Sequence, residues 1–184
     1  ALLERDPLPL AVLTPKSLLR HPAVASAPRE LAEQRFLSVI DDAAARARAG
    51  QIARLVLCSG KVAIDLLTSE RRAAADTVAI CRVEQLYPFP AIAIRELLDR
   101  YTSVRELVWL QEEPENMGAW DFMRPQLENL IAGRYPLRYV GRSRSASPAE
   151  GSTAWHVLNQ KALIEQAFEA SRTNVDTPLV LSKQ

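Results

Sequence analysis

Along the chain, short unbroken apolar runs alternate with stretches whose apolar positions recur every three or four residues. Five runs read as strands. PLAVLTP at 9–15 is partly β-branched and bounded by prolines, and ARLVLCSG, ending at Gly60, is nearly continuous in Val and Leu. TVAICRVEQL follows Asp76, RELVWLQEE follows Val104, and LRYVGR occupies 137–142. Runs without polar alternation are buried on both faces, as in a parallel sheet covered by helices.

Helical periodicity fills the gaps. Lys61–Ala75 carries Val62 and Leu66 on one side and arginines on the other. Pro90–Tyr101 opens with proline, suited to a first turn, and directs Ile92, Ile94, Leu97 and Leu98 toward a core. Gly118–Ala132 places Trp120, Met123, Leu127, Leu130 and Ile131 at helical spacing, with Pro125 expected to bend or begin the helix. Thr153–Ala170 supplies a last helix. Residues 28–50 are helical in composition, although FLSVI inside them also suits a short strand. The alternation predicts an α/β fold: an open, mostly parallel five-stranded sheet with helices on both faces, Rossmann-like in outline. It spans 1–170 as one domain, and 171–184 is expected to be a mobile tail.

Composition narrows the function classes. The chain has 184 residues, 48% of them hydrophobic and 24% charged, with net charge +1. That length suits one domain, and the balanced charge is not the footprint of a nucleic-acid binder. No apolar run is long enough to span a membrane, and Ala1–Asp6 lack the order of a secretory signal. Cys58 and Cys81 sit in apolar runs and read as buried hydrophobes, with a disulfide between them the lesser alternative. The two histidines, His21 and His156, lack zinc-ligand spacing and read as structural.

In open α/β sheets ligands bind beyond the carboxyl ends of the strands, so the residues following each run carry the candidate chemistry. Ser59-Gly60-Lys61 resembles the end of a phosphate loop but lacks the full spacing, and Ala63 offers no metal-binding hydroxyl. Lys16, Arg20 and Lys61 would together bind a phosphate group if the first two strands lie side by side. Glu112, Glu113 and Glu115 form an acidic cluster, read as a capping or interface group rather than an acid–base pair. RSRSASP at 142–148 reads as a turn with serine caps, with phosphorylation or anion binding as the alternative. Trp109, Trp120 and Trp155 fill core or interface. No catalytic constellation is complete.

Taken in order, TPKSLLRHP (14–22), VLCSGKVAIDLL (56–67), RVEQLYPFP (82–90), QEEPENMGAW (111–120) and RYVGRSRSASPAEG (138–151) resemble one family. It is the thiamine-dependent decarboxylating component of the 2-oxoglutarate dehydrogenase complex, in its C-terminal region. The likeness covers residues 7 to about 170. Departures are Ala63 and Ile64, where relatives commonly carry tyrosines, Asp121, and the tail.

The resemblance implies a transketolase-type C-terminal domain with one antiparallel edge strand, inactive by itself. No catalytic, cofactor-binding or metal-binding residue is expected here. Thiamine diphosphate and magnesium would belong to preceding domains of the complete enzyme. Implied partners are a second copy in a homodimer, the catalytic domains of the same polypeptide, and the dihydrolipoyl succinyltransferase core. Tyr87, Phe89, Glu112, Glu113, Asn116 and Trp120 are the interface candidates. Some actinobacterial members bind acetyl-CoA as an activator, and an acetyl-CoA or AMP effector here would meet Lys16 and Arg20, with Lys61 and Arg82 as further candidates. The expected compartment is the bacterial cytoplasm, with the mitochondrial matrix as alternative. Two other functions stay open: a stand-alone module for CoA or nucleotide phosphates, and the same domain of a 2-oxoadipate dehydrogenase.

Overall fold

The computed structural model describes Pro9 and residues 11–169. The chain divides into two compact units, Ala1–Arg35 and Phe36–Gln184. The first unit contains 3-10 turns at Lys16–Leu18 and Pro22–Val24 and a short helix, α1 (Pro28–Glu33). Pro28 supplies the preset first turn of α1, and Glu30 reaches back to accept from the Ala27 amide at 2.9 Å. Among the described residues of 9–15 the expected strand does not form. Residues 11–15 are irregular, and Val12 and Leu13 are 73% and 97% exposed. Without a neighbouring strand to accept its ladder bonds, an apolar run bracketed by prolines has nothing to bury against.

The fifth strand comes from FLSVI instead. The second unit builds one sheet from β1 (Val39–Ile40), β2 (Arg54–Cys58), β3 (Val78–Val83), β4 (Glu106–Pro114) and β5 (Leu137–Arg142). Their order across the sheet is β1-β3-β2-β4-β5, with β1 antiparallel and the remaining pairs parallel. The unbroken helix that composition suggests for 28–50 is thus interrupted. After β1, Asp42 ends the extended segment by accepting from the Ala44 and Ala45 amides, each at 3.1 Å, and starts α2 (Ala43–Arg46). The expected tail, 171–184, lies outside the described residues.

Four longer helices cover the sheet: α3 (Lys61–Leu67), α4 (Ala91–Arg100), α5 (Trp120–Ile131) and α6 (Thr153–Phe168). The helix expected from Lys61 to Ala75 closes at Leu67, and a 3-10 segment, Glu70–Ala74, continues it. The pleat sorts the strand residues. Leu55, Leu57, Ala79, Cys81, Leu107 and Trp109 pack against α4 and α5, whereas Val56, Cys58, Ile80, Val108 and Leu110 pack against α3 and α6. Cys58 and Cys81 therefore point to opposite faces of the sheet, and both are free thiols. Pro125 lies on the exposed side of α5, where the carbonyl it leaves without a donor faces water.

The amino end of the sheet holds a buried ion pair. Arg54 Nε donates to Glu106 Oε2 at 2.6 Å, between facing residues of β2 and β4. Arg54 and Arg138 also donate to the carbonyls of Ala167 and Gln166, at 3.0 and 2.7 Å. Two guanidiniums thereby satisfy the last turn of α6 and fasten it to the sheet.

Candidate functional site at the strand ends

β2 connects outward to β3 through α3 on one face, and β4 connects to β5 through α5 on the other. The gap between the carboxyl ends of β2 and β4 is therefore the topological switch point, where open α/β sheets bind ligands. A crevice of about 260 Å³ lies there, lined among others by Ser59, Gly60, Leu86, Gln111, Glu113 and Gly118.

Gln111 organises this crevice. Its Oε1 accepts from Trp109 Nε1 at 3.0 Å and from the Ala119 amide at 3.2 Å. Its Nε2 donates to the carbonyls of Met117 (2.7 Å), Pro114 (3.2 Å) and Glu113 (3.4 Å). One buried amide thus folds the EEPENMGA segment back onto β4 and aims the chain into α5. Gly118 has φ +67°, and a Cβ there would stand 3.0 Å from both Gln111 Nε2 and Glu113 Cβ. Only glycine fits that backbone and that gap.

The adjoining loop is tied in the same way. β4 and β5 slip register between Leu110 and Pro114, and Tyr139 Oη donates across the slip to the carbonyls of Glu113 and Arg142. A side chain at Gly141 would collide with the Tyr139 ring. Burial pushes the Tyr139 hydroxyl's pKa upward, so it stays a donor at neutral pH. Asn116 accepts from the Ser145 amide and donates to its carbonyl, both at 2.9 Å, which locks the β4–α5 loop to the β5–α6 loop. In the latter, Ser145 and Ser147 hydroxyls accept from the amides two residues on, so RSRSASP is a serine-capped turn.

The phosphate candidates are divided between the two units. Lys16 and Arg20 belong to the first, where no strand precedes them among the described residues, so the premise of adjacent first strands is not met there. Lys61 and Arg82 lie in the second unit, at the ends of β2 and β3. Lys61 pairs with Asp65 and stands 3.7 Å from Glu112, while Gln160 Nε2 donates to both carboxylates at 2.9 Å. Arg82 pairs with Glu84 at 3.4 Å. Both cations already have carboxylate partners. Beside them Cys58 is fully buried, which pushes its thiol up to about 12 and keeps it protonated.

Of the interface candidates, Tyr87 is 82% exposed and meets Phe122 edge-on at 6.1 Å, and Ile92, five residues on in the chain, is exposed as well. Phe89 packs on the core, and Glu113 is exposed. Trp120 is buried against Tyr139 at 5.2 Å, under the Arg124 guanidinium. Trp109 is fully buried, whereas Trp155 is half exposed on the first turn of α6. His156 sits against Glu150 and Arg142, each at 3.1 Å.

The sequence reading missed Asp41 and Asp42. Asp41 accepts from Arg100 and from Tyr101 Oη, at 2.7 and 2.5 Å. Asp42 binds Arg72 at 2.6 Å and the Ile80 amide at 2.9 Å, and so extends the β3 ladder past the end of β1. An Asp directly ahead of an alanine run was the one visible signal. Gln111 stood at the head of the QEEPENMGAW motif but was given no role of its own.

What the fold and crevice define is an open α/β domain whose strand-end loops are bound to one another. Among the described residues, no group of three or more His, Cys, Asp or Glu is placed to hold a metal ion. The profile of the 2-oxoglutarate dehydrogenase C-terminal family matches residues 25–168, and the chain belongs to that family. It is 42% identical over 162 residues to the 2-oxoglutarate dehydrogenase E1 component of an Exiguobacterium species, covering 87% of this chain and 17% of that protein. The E1 components of Geobacillus kaustophilus and Bacillus subtilis are 43% and 39% identical over 170 and 169 residues, 91% of this chain and 18% of each relative. The chain thus spans less than a fifth of the length of these relatives.

Proposed function

We propose that this chain is the C-terminal scaffold of a thiamine diphosphate-dependent 2-oxoglutarate dehydrogenase, inactive without the catalytic domains. In that enzyme 2-oxoglutarate is decarboxylated and its succinyl unit passes to a lipoyl group of the succinyltransferase. The observation that carries the reading is the state of the switch-point crevice, whose central amide makes five bonds to its own chain. A ligand would have to displace those bonds. Thiamine diphosphate and its magnesium belong, on this reading, to the other domains.

The surface supports a covered carboxyl edge. Tyr87, Ile92, Phe122, Trp155 and Leu158 are exposed on the β3–α4 loop and on the opening turns of α4, α5 and α6. Phe36 and Leu37, ahead of β1, join them, because Val39 pairs with the last residue of β3. The catalytic domains and a second copy of the polypeptide would bury this edge. The relatives named are bacterial, and no described helix is long and apolar enough to cross a membrane. A cytoplasmic enzyme fits both.

The test is 2-oxoglutarate-dependent reduction of an artificial electron acceptor, with thiamine diphosphate and magnesium present. The chain alone is expected to give no turnover, and a polypeptide joining it to the two preceding domains is expected to be active. Turnover that rises with the concentration of the chain alone overturns the scaffold reading. Titrating both preparations with acetyl-CoA checks the effector role: saturable binding should be lost in Arg20→Ala, and unchanged affinity removes that residue.

A further inference from the structure

We infer that the amino-terminal edge of the parallel sheet is a docking surface for a carboxylate-rich face of another protein. Backbone and side-chain bonds gather four loops into one rim at this edge. Ser103 Oγ donates to the Gly50 carbonyl at 2.7 Å, and the Arg105 amide donates to Ala53 at 2.8 Å. Ala53 in turn donates to Thr77 at 2.8 Å, and Leu107 donates to Pro136 at 3.0 Å. The loops joined in this way carry Arg48, Arg71, Arg72, Arg105 and Arg134, with Arg46 at the end of α2, against Glu70 and Asp76. Arg48 and Asp76 pair with each other.

Arg71 and Arg72 pair with Glu165 and Asp42, and Arg134 Nε donates to the Ile131 carbonyl at 3.2 Å. Arg46, Arg105 and Arg134 are exposed and form no ion pair among the described residues. Asp99, on the last turn of α4, and Glu169, just past α6, are further carboxylates at this edge, and their charges act on Tyr135 and Arg138. The whole chain carries only +1, so this local excess is balanced elsewhere. The opposite edge is close to neutral, with Glu84, Glu112, Glu113, Glu115 and Glu150 beside Lys61, Arg82, Arg142 and Arg144.

Arginine forks pair with planar anions through two parallel bonds, so spaced exposed guanidiniums fit carboxylates presented by a folded surface. A nucleic acid fits less well. The rim's aromatic ring, Tyr135, lies under the Arg134 guanidinium at 5.8 Å, which leaves no open stacking platform. Charges at a rim act mainly by steering encounter, so the binding should be fast and salt-sensitive.

The test is fluorescence anisotropy of a labelled oligoglutamate titrated with the protein at low and raised salt. Arg46→Glu/Arg105→Glu/Arg134→Glu should weaken binding at least about tenfold at low salt. A control with the same charge change at exposed sites off the rim, Arg95→Glu/Arg144→Glu/Lys161→Glu, should lose much less. Thermal melts of both variants confirm folding. Equal losses in the two variants reduce the effect to net charge and overturn the surface. A single-stranded oligonucleotide that binds more tightly than oligoglutamate overturns the carboxylate-rich partner. Self-association abolished by the rim reversals assigns the rim to a second copy of the chain, which also overturns it.

Discussion

Replacing Gln111 with leucine keeps the volume of the side chain and removes its bonding. The residue is 4% exposed, so water cannot take over. The indole N–H of Trp109 then has no acceptor in the middle of the core, at a cost of about 1–3 kcal/mol. The Ala119 amide and the Met117 carbonyl, both partly buried, lose partners as well, at about 1 kcal/mol each. The expected loss is roughly 3–5 kcal/mol, a large fraction of the stability of a domain this size. Urea unfolding reads the loss, and amide exchange at Gly118–Trp120 should accelerate with it. Gln111→Glu adds a second check. Its carboxylate still accepts from Trp109 and Ala119 but faces the Met117 and Pro114 carbonyls with no donor. Stability of that variant should recover as pH falls, because protonation restores an O–H, and decline as pH rises. A Gln111→Leu protein within about 0.5 kcal/mol of the parent, with the Ala119 amide still protected, would refute the role assigned to this side chain.

Glu106→Gln should cost about 3–5 kcal/mol in urea unfolding, because it leaves Arg54 buried without its anion and deprives Arg138 as well. The double variant Arg54→Met/Glu106→Leu should regain most of that loss; failure to regain it would mean that the bonds to the end of α6 matter more than the charge. Burial raises Cys58 from 9.0 to about 12, so the folded state keeps a proton that the unfolded chain releases. Its contribution is fully present below pH 9 and is lost at about 1.4 kcal/mol per pH unit as pH rises toward 12. Cys58→Ala should lower the neutral plateau yet flatten the alkaline slope of the urea midpoint; parallel slopes would sink the assignment.

Periodicity located what continuous burial creates. LRYVGR coincides with β5, and the cores of β2, β3 and β4 fall inside the runs read as strands, because a strand covered on both faces has no polar positions to disguise it. The same criterion failed at 9–15, where an equally apolar run has no neighbour to bury it. It also could not resolve 28–50. There Asp42 caps α2, binds Arg72, and takes the Ile80 amide from 38 residues away. A single carboxylate serving three elements leaves no periodic trace. The acidic cluster shows the limit for the site. The pairing of Lys61 with Asp65 is visible as an i,i+4 spacing, but Glu112 joins it only through the β2–β4 register. Whether a polar residue at a strand end is free or engaged is a property of that register, and the chain order alone does not contain it.

The two edges of the sheet now carry different chemistry, and the difference bears on where this domain acts. In an open α/β sheet the carboxyl edge is the place where a ligand is received. Here Gln111, Gly118, Tyr139 and the Asn116–Ser145 pair close that edge from within, so its loops form a rigid face rather than a mouth. Rigid faces with exposed aromatic and aliphatic side chains receive proteins, and Tyr87, Ile92, Phe122 and Trp155 provide them. Besides these four and Phe36, Leu37 and Leu158, the exposed large apolar residues described in this unit are Leu67, at the far end of α3, and Val157, on α6. The amino edge offers exposed arginines instead, three of them without an ion pair among the described residues. An apolar face suits a permanent contact, and a charged rim suits a reversible one. On the proposed scaffold reading, the apolar face is the side held within the enzyme and the charged rim is the side that meets a second protein transiently.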